Sequence, residues 1–254
     1  MREWRLMMDG KRPAAENMAI DEAVMRLRPA AGVNTLRLYG WSPSAISIGY
    51  FQSLEAEVDT GACRARGVDV VRRLTGGGAV YHDTHGDLTY SVVMPVDDPL
   101  VDGLDILGSY GVLLAGLVDG LAAMGIAAGF KPINDVVAGG RKISGSAQTR
   151  RGGVLLQHGT LLLDVDPEVM FTLLRVPDAK IRDKMIAGVR ERVTSVRHQV
   201  GAVDRDRAAA ALAAGFGKSF GADLRAGGLT PEEAAVVPRI ARERYGDPAW
   251  TGRR

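Results

Sequence analysis

The sequence predicts an α+β protein, with short antiparallel strand groups separated by helices instead of a repeated βαβ alternation. Three features carry that prediction. Residues 35–95 alternate apolar and polar positions between glycine and Ser-Pro turns, one apolar helical stripe runs from about Leu104 to Met124, and the chain from Pro167 onward reads as mostly helical.

Taken in order, Trp4 to Met8 is a short apolar strand, and Ile20, Ala23, Val24 and Leu27 recur at helical spacing until Pro29. Thr35 to Tyr39 and Ala45 to Tyr50 are expected to pair as neighbouring antiparallel strands around Gly40 and the Ser42-Pro43 turn. A short helix holds Cys63, and Val68 to Arg73 is a further strand. Ala79 to His82 and Asp87 to Pro95 are extended. In the long helix, Leu107, Tyr110, Leu114, Leu117, Val118 and Leu121 form one buried stripe. Asn134 to Ala138, Arg141 to Ala147 and Val154 to Leu163 suggest a second antiparallel set. Gly221 to Gly228 reads as a linker. The last helix opens with a Thr230-x-x-Glu233 capping box and Pro231, and Pro238 is expected to kink it.

The 254 residues are 46% hydrophobic and 24% charged, enough to bury a sizeable core. The expected organisation is one domain over residues 1–254, with 221–254 as a helical C-terminal extension. The most apolar stretch, Val112 to Ala128, is broken by Asp119 and several glycines, so membrane spanning is not expected. A net charge of +2 gives no reason to expect nucleic acid. The single cysteine, Cys63, excludes an internal disulfide and fits a cytoplasmic location.

Two segments carry candidate chemistry. The first is Arg72-Arg73-Leu74-Thr75-Gly76-Gly77-Gly78-Ala79-Val80-Tyr81-His82. Three consecutive glycines weaken a strand connection, so a backbone approached closely by an anionic or phosphate-bearing ligand would account for them. A loose hairpin with solvated arginines accounts for them equally well. The second segment is Asn134-Asp135-Val136 followed by Arg141-Lys142-Ile143-Ser144-Gly145-Ser146-Ala147-Gln148. A lysine between small residues can aim a compact charge at a ligand, although by spacing alone a solvent-facing strand lysine is the commoner case, and Asp135 could hold magnesium. The Walker A pattern is absent. The histidines match no standard zinc spacing, and Gln157-His158-Gly159-Thr160 is either a pocket wall or a core polar cluster.

Together with Asn17-Met18-Ala19-Ile20-Asp21-Glu22, Gly49-Tyr50-Phe51-Gln52, Gly86-Asp87-Leu88-Thr89-Tyr90-Ser91 and Arg190-Glu191-Arg192-Val193, these blocks resemble the lipoate-protein ligase family over nearly the whole chain. The resemblance implies the catalytic-domain fold of biotin and lipoate protein ligases, similar to class II aminoacyl-tRNA synthetases, with mixed sheets flanked by helices. It implies an adenylating ligase in which ATP and Mg2+ activate lipoate to lipoyl-AMP. The lipoyl group then passes to a lysine of a lipoyl domain or a glycine-cleavage H protein.

By the same resemblance Lys142 is the catalytic residue, and Asn134 and Asp135 occupy nucleotide and magnesium positions. Arg72, Leu74, Thr75, Gly76, Gly77, Gly78, Ala79, Val80, His82, Ile143, Gly145, Ser146, Ala147, His158, Gly159 and Thr160 would line the lipoate and adenylate pocket. Pro132-Ile133 stands where many members have Gly-Arg, and Gln148-Thr149-Arg150 looks more like the related octanoyltransferases. The chain resembles the short, bipartite form whose C-terminal accessory domain is a separate subunit. The rival readings are an octanoyl or lipoyl transferase acting without ATP through a cysteine thioester, a non-catalytic lipoate-binding subunit, and a biotin ligase. With no cysteine after Cys63, the sequence reading favours adenylation.

Overall fold

The apolar alternation of the first half closes into two sheets, and the later strands extend one of them. The computed structural model describes residues 2–164, 166–176, 179–202 and 204–253. Its strands are β1 (Arg2–Arg12), β2 (Asn34–Trp41), β3 (Ala45–Ile48), β4 (Asp69–Arg72), β5 (Val80–His82), β6 (Asp87–Pro95), β7 (Ala128–Lys131), β8 (Asp135–Ala138), β9 (Arg141–Arg151), β10 (Val154–Leu162) and β11 (Ala222–Ala226). The helices are α1 (Ala14–Ala31), α2 (Leu54–Glu57), α3 (Thr60–Ala65), α4 (Ile106–Ala123), α5 (Pro167–Leu173), α6 (Ala179–Arg192), α7 (Val196–Val200), α8 (Arg205–Phe220), α9 (Pro231–Ile240) and α10 (Pro248–Gly252).

Eight strands form a mixed sheet in the order β11-β1-β2-β6-β10-β9-β8-β7, and β4-β3-β5 form a small second sheet. On one face of the large sheet, α4 and α8 bury Leu113, Leu114, Leu117, Leu121, Leu212 and Phe216. These helices approach closely because their contact is glycine: a β-carbon on Gly215 would lie 2.2 Å from the Gly120 nitrogen. α4 is long and apolar enough to cross a membrane, with a mean hydropathy of 1.7, but it serves as a core helix covered by α8 and the sheet. The other face packs α1 and α9 around Met18, Ile20, Val24, Tyr39 and Trp41.

Several expectations are corrected. β2 and β3 do not pair. Both edges of β2 are taken, by β1 in parallel and by β6 in antiparallel register, so the chain turns at Ser42-Pro43 into the small sheet, where β3 pairs with β4 and β5. The expected linker after Gly221 begins with an edge strand, Ala222 pairing with Arg2 and Ala226 with Leu6, so the C-terminal segment is not purely helical. α1 runs through Pro29 to a left-handed Gly32 cap. Pro238 lies inside α9, which widens into a π-helical turn over Ala241–Tyr245.

Candidate active site

The large sheet offers a platform because its central strands are in straight register. Tyr39 pairs with Thr89, Thr89 with Thr160, Thr160 with Gly145, and Gly145 with Asp135. Register partners point to the same face, so this row crosses the sheet on one side. A cavity of about 350 Å³ lies over it, roofed by the glycine loop, the small sheet, α5 and the end of α6. Met18, Tyr39, Trp41, Ser47 and His82 line one end, while Asn134, Lys142, Gly145, Ser146 and Ala147 line the other.

Lys142 reaches this face through a bulge. Asp135 pairs with Gly145 and Val136 with Ser144, yet Val137 pairs with Lys142, leaving Ile143 as the additional residue. Without that slip Val137 would face Ile143, and the lysine would point into the apolar core that Ile143 instead fills. The Lys142 ammonium lies 2.6 Å from Asp135 Oδ1, with 41% of its side chain exposed. Gly145 leaves the space it needs, since a β-carbon there would stand 2.6 Å from Nζ. The Lys142 carbonyl accepts from the Thr194 amide, tying the strand to the segment after α6. Asn134 clamps β8 to β9: its side-chain amide donates to the Ser146 carbonyl and its own carbonyl accepts from the Ser146 amide.

Two buried histidines hold the opposite wall. His82 Nδ1–H donates to Asp87 Oδ2 at 2.9 Å, its Nε2 accepts from Ser47 Oγ at 2.8 Å, and its ring stacks on Trp41 at 4.0 Å. His158 Nδ1–H donates to Asp21 Oδ2 at 3.2 Å, and its Nε2 accepts from Thr75 Oγ1 at 2.7 Å. Asp21 also accepts from Arg37, Tyr39 and Ser91. Burial alone would raise the Asp21 pKa, but His158 and Arg37 outweigh it and bring it below the ordinary value.

Arg73 joins the two relays. It donates through Nε to Thr75 Oγ1, through Nη1 to the carbonyl and hydroxyl of Ser47, and through Nη2 to the carbonyls of Gly76 and Gly78. Every acceptor is neutral. Burial without a facing carboxylate brings its pKa down to about 10, so the guanidinium stays charged at neutral pH and carries an uncompensated positive potential into the cavity.

The expected site residues thus divide. The structure brings Lys142, Gly145, Ser146, Ala147, Asn134, Gly77, Gly78, Ala79, Val80, His82, His158 and Thr160 onto one cavity. Thr75 and Gly76 stand behind that wall as bonding partners of Arg73. Leu74 and Ile143 are core residues, at 5% and 0% exposure, and Gly159 is a packing glycine against Ser146 and Tyr90. Arg72 is a correction. Its guanidinium points away and donates to the carbonyls of Gly49, Tyr50, Gln52, Trp250, Thr251 and Arg253. Strand alternation sends Arg72 and Arg73 to opposite faces, and Arg73 is the one that faces the cavity. Asp135 is engaged by Lys142, and among the described residues no group of three His, Cys, Asp or Glu side chains is placed to hold a metal ion.

Burial lowers the His82 pKa below 6.5, with Asp87 only partly restoring it while Arg73 and His158 add to the lowering. The unfolded chain takes up a proton near 6.5 that the folded protein refuses, so stability is full above that pH and falls as pH drops through it. Asp87, raised by burial above 3.8, acts with opposite sign in a more acid window. The urea midpoint is expected to fall between pH 7.5 and 5.5, and His82→Gln should flatten that slope. An identical slope in the variant would remove His82 as its source.

Comparison with known proteins places the chain in a family. Residues 13–217 match the lipoyl protein ligase A/B catalytic domain. The octanoyltransferase LipM of Kyrpidia tusciae is 42% identical, the alignment covering 100% of both chains. The bipartite lipoate protein ligase of Thermoplasma acidophilum, studied with its E2 lipoyl domain, superposes with a TM-score of 0.90 at 33% identity, covering 99% of this chain and 97% of that one. A lipoate-protein ligase A bound with ATP gives 0.85 at 31% identity, covering 98% of each. With the matched family model, the end-to-end relative and the shared mixed-sheet architecture in agreement, the chain belongs to the lipoyl protein ligase A/B catalytic-domain family and is an enzyme of its ligase and transferase group.

Proposed function

We propose that the protein transfers an octanoyl-class acyl group from an already activated, thioester-type donor onto a lysine of a lipoyl domain. This replaces the ATP-dependent lipoate ligation expected from the sequence. That expectation is overturned by the end-to-end relatives at 42% and 39% identity, both named octanoyltransferases. A transferase receives its acyl group activated, so neither ATP nor an adenylate enters the reaction.

The observation that carries the reading is that the cavity's lining crosses four neighbouring strands, with Tyr39 on β2, Thr89 on β6, Thr160 on β10 and Gly145 on β9. From Gly145 on β9 to Tyr39 on β2 are three inter-strand steps, or about 14 Å at roughly 4.8 Å each. At roughly 1.25 Å of advance per carbon–carbon bond, an extended eight-carbon chain is about 9 Å long. It therefore fits between Lys142 and the side chains projecting from the Trp41 end. The wall along that path is mainly apolar, with few polar groups at the Lys142 end to fix the carbonyl.

In this arrangement the Lys142 ammonium faces the acyl carbonyl. The acceptor amine attacks the carbonyl carbon, the carbon–sulfur bond breaks, and the proton lost by the amine ends on the departing thiolate. Lys142 stabilises the oxyanion between those events. A cysteine-linked intermediate has no place. Cys63 is 1% exposed on α3, packs with Ile46, Ile48 and Val58, and has its thiol pKa raised to about 11 by burial. Transfer to the amine is direct.

The test incubates the protein with octanoyl-pantetheine thioester and an unmodified lipoyl domain, without nucleotide, and follows the domain's mass. Octanoylation is expected. Modification that appears only with free octanoate and ATP would end this reading. Cys63→Ala is expected to keep transfer within about twofold of wild type, with initial rates following a sequential pattern. A hydroxylamine-sensitive acyl-protein, or loss of transfer in that variant, would restore the thioester route.

A further inference from the structure

A ladder of stacked cations and rings stands beside the cavity's glycine lip. Arg151 lies over the Tyr50 ring at 4.8 Å, Arg253 contacts both Tyr50 and Trp250 at 3.9 and 3.8 Å, and Arg244 lies over Trp250 at 4.7 Å. Phe51 sits edge-on to Tyr50 at 4.9 Å and is 85% exposed. Among the described residues Arg244 reaches Glu22 at 3.5 Å while Arg151 and Arg253 pair with no carboxylate, so those two present unneutralised positive charge beside an open apolar ring.

The ladder is built rather than incidental. Buried Arg72 binds carbonyls of both contributing segments, Gly49 to Gln52 and Trp250 to Arg253, and Trp250 Nε1 donates back to the Arg72 carbonyl. It also adjoins the site. The Tyr50 amide donates to the Thr75 carbonyl at 2.8 Å, and Arg151 donates to the Leu74 carbonyl at 3.3 Å. Gly77 and Gly78, which line the cavity, follow within three residues.

We propose that this ladder docks the lipoyl domain, its arginines meeting an acidic face around the target lysine and Phe51 packing on an apolar spot within that face. The inference rests on the acyl-transfer reading. A lysine side chain reaches only about 6 Å from its backbone, so the domain that inserts it must lie on the cavity rim. Stacked arginines suit such a rim because their guanidinium edges remain free for carboxylates while the rings limit their motion.

The test measures anisotropy of a labelled, unmodified lipoyl domain against wild type, the double variant Arg151→Glu/Arg253→Glu, and Phe51→Ser. The KM for octanoyl-pantetheine, a donor without a protein carrier, is measured in parallel, and thermal melts check folding. Acceptor Kd should rise at least tenfold in the double variant and severalfold in Phe51→Ser, with donor KM unchanged. Added salt should weaken wild-type binding far more than that of the double variant. Wild-type transfer with unaltered acceptor affinity in both variants overturns the docking assignment alone, as does an equal rise in donor KM. Wild-type protein that acylates no lipoyl domain overturns the transfer reading and the docking surface with it.

Discussion

Lys142→Ala is expected to lower kcat for octanoyl transfer by about 10²- to 10³-fold, the scale on which removal of a preorganised oxyanion partner acts. The melting temperature should hardly move. The pair with Asp135 is only partly buried, with 41% and 29% of the two side chains exposed, and pairs near the surface are worth about 0 to 1 kcal/mol. Lys142→Arg should recover little, because a flat, delocalised guanidinium does not place its charge at the point the compact ammonium occupies. Wild-type turnover in Lys142→Ala, measured by lipoyl-domain mass, would take the charge out of the mechanism.

Asp21→Ala is expected to cost about 3 to 5 kcal/mol of folding stability, read from urea unfolding. The contrast with Lys142 lies in burial. Arg37 is 1% exposed and is paired inside the fold by Asp21 and Asp9. Removing Asp21 strips a buried cation of one partner and leaves the Tyr39 hydroxyl, Ser91 hydroxyl and His158 Nδ1–H without their acceptor. The loss should reach the cavity too, since His158 positions Thr75 and through it Arg73. A cost below about 1 kcal/mol would mean that Asp9 alone neutralises Arg37.

Periodicity identified the strands of the first half, the capped start of α9 and the buried stripe of α4 from Tyr110 to Leu121, although Leu107, expected in that stripe, is 46% exposed and Val118 is only partly buried, because each is a local pattern. It failed where partners are chosen at a distance. The pairing of β2 and β3 was misjudged since sequence adjacency does not reveal that β1 and β6 already hold both edges of β2. β7 and β11 are short edge strands without alternation strong enough to stand out. The adenylating activity was misjudged for a related reason: the blocks around Lys142 mark the family, not whether the incoming group is activated beforehand.

The sequence by itself determined the α+β class, the glycine loop, the lysine segment and the separation of the only cysteine from both, all features of spacing along the chain. Tertiary structure decided which arginine serves the cavity, which serves the C-terminal segment, and on which face Lys142 emerges. Those choices depend on a one-residue bulge and on strand parity. A single slip exchanges the core and ligand faces of every following residue while the order of amino acids stays the same.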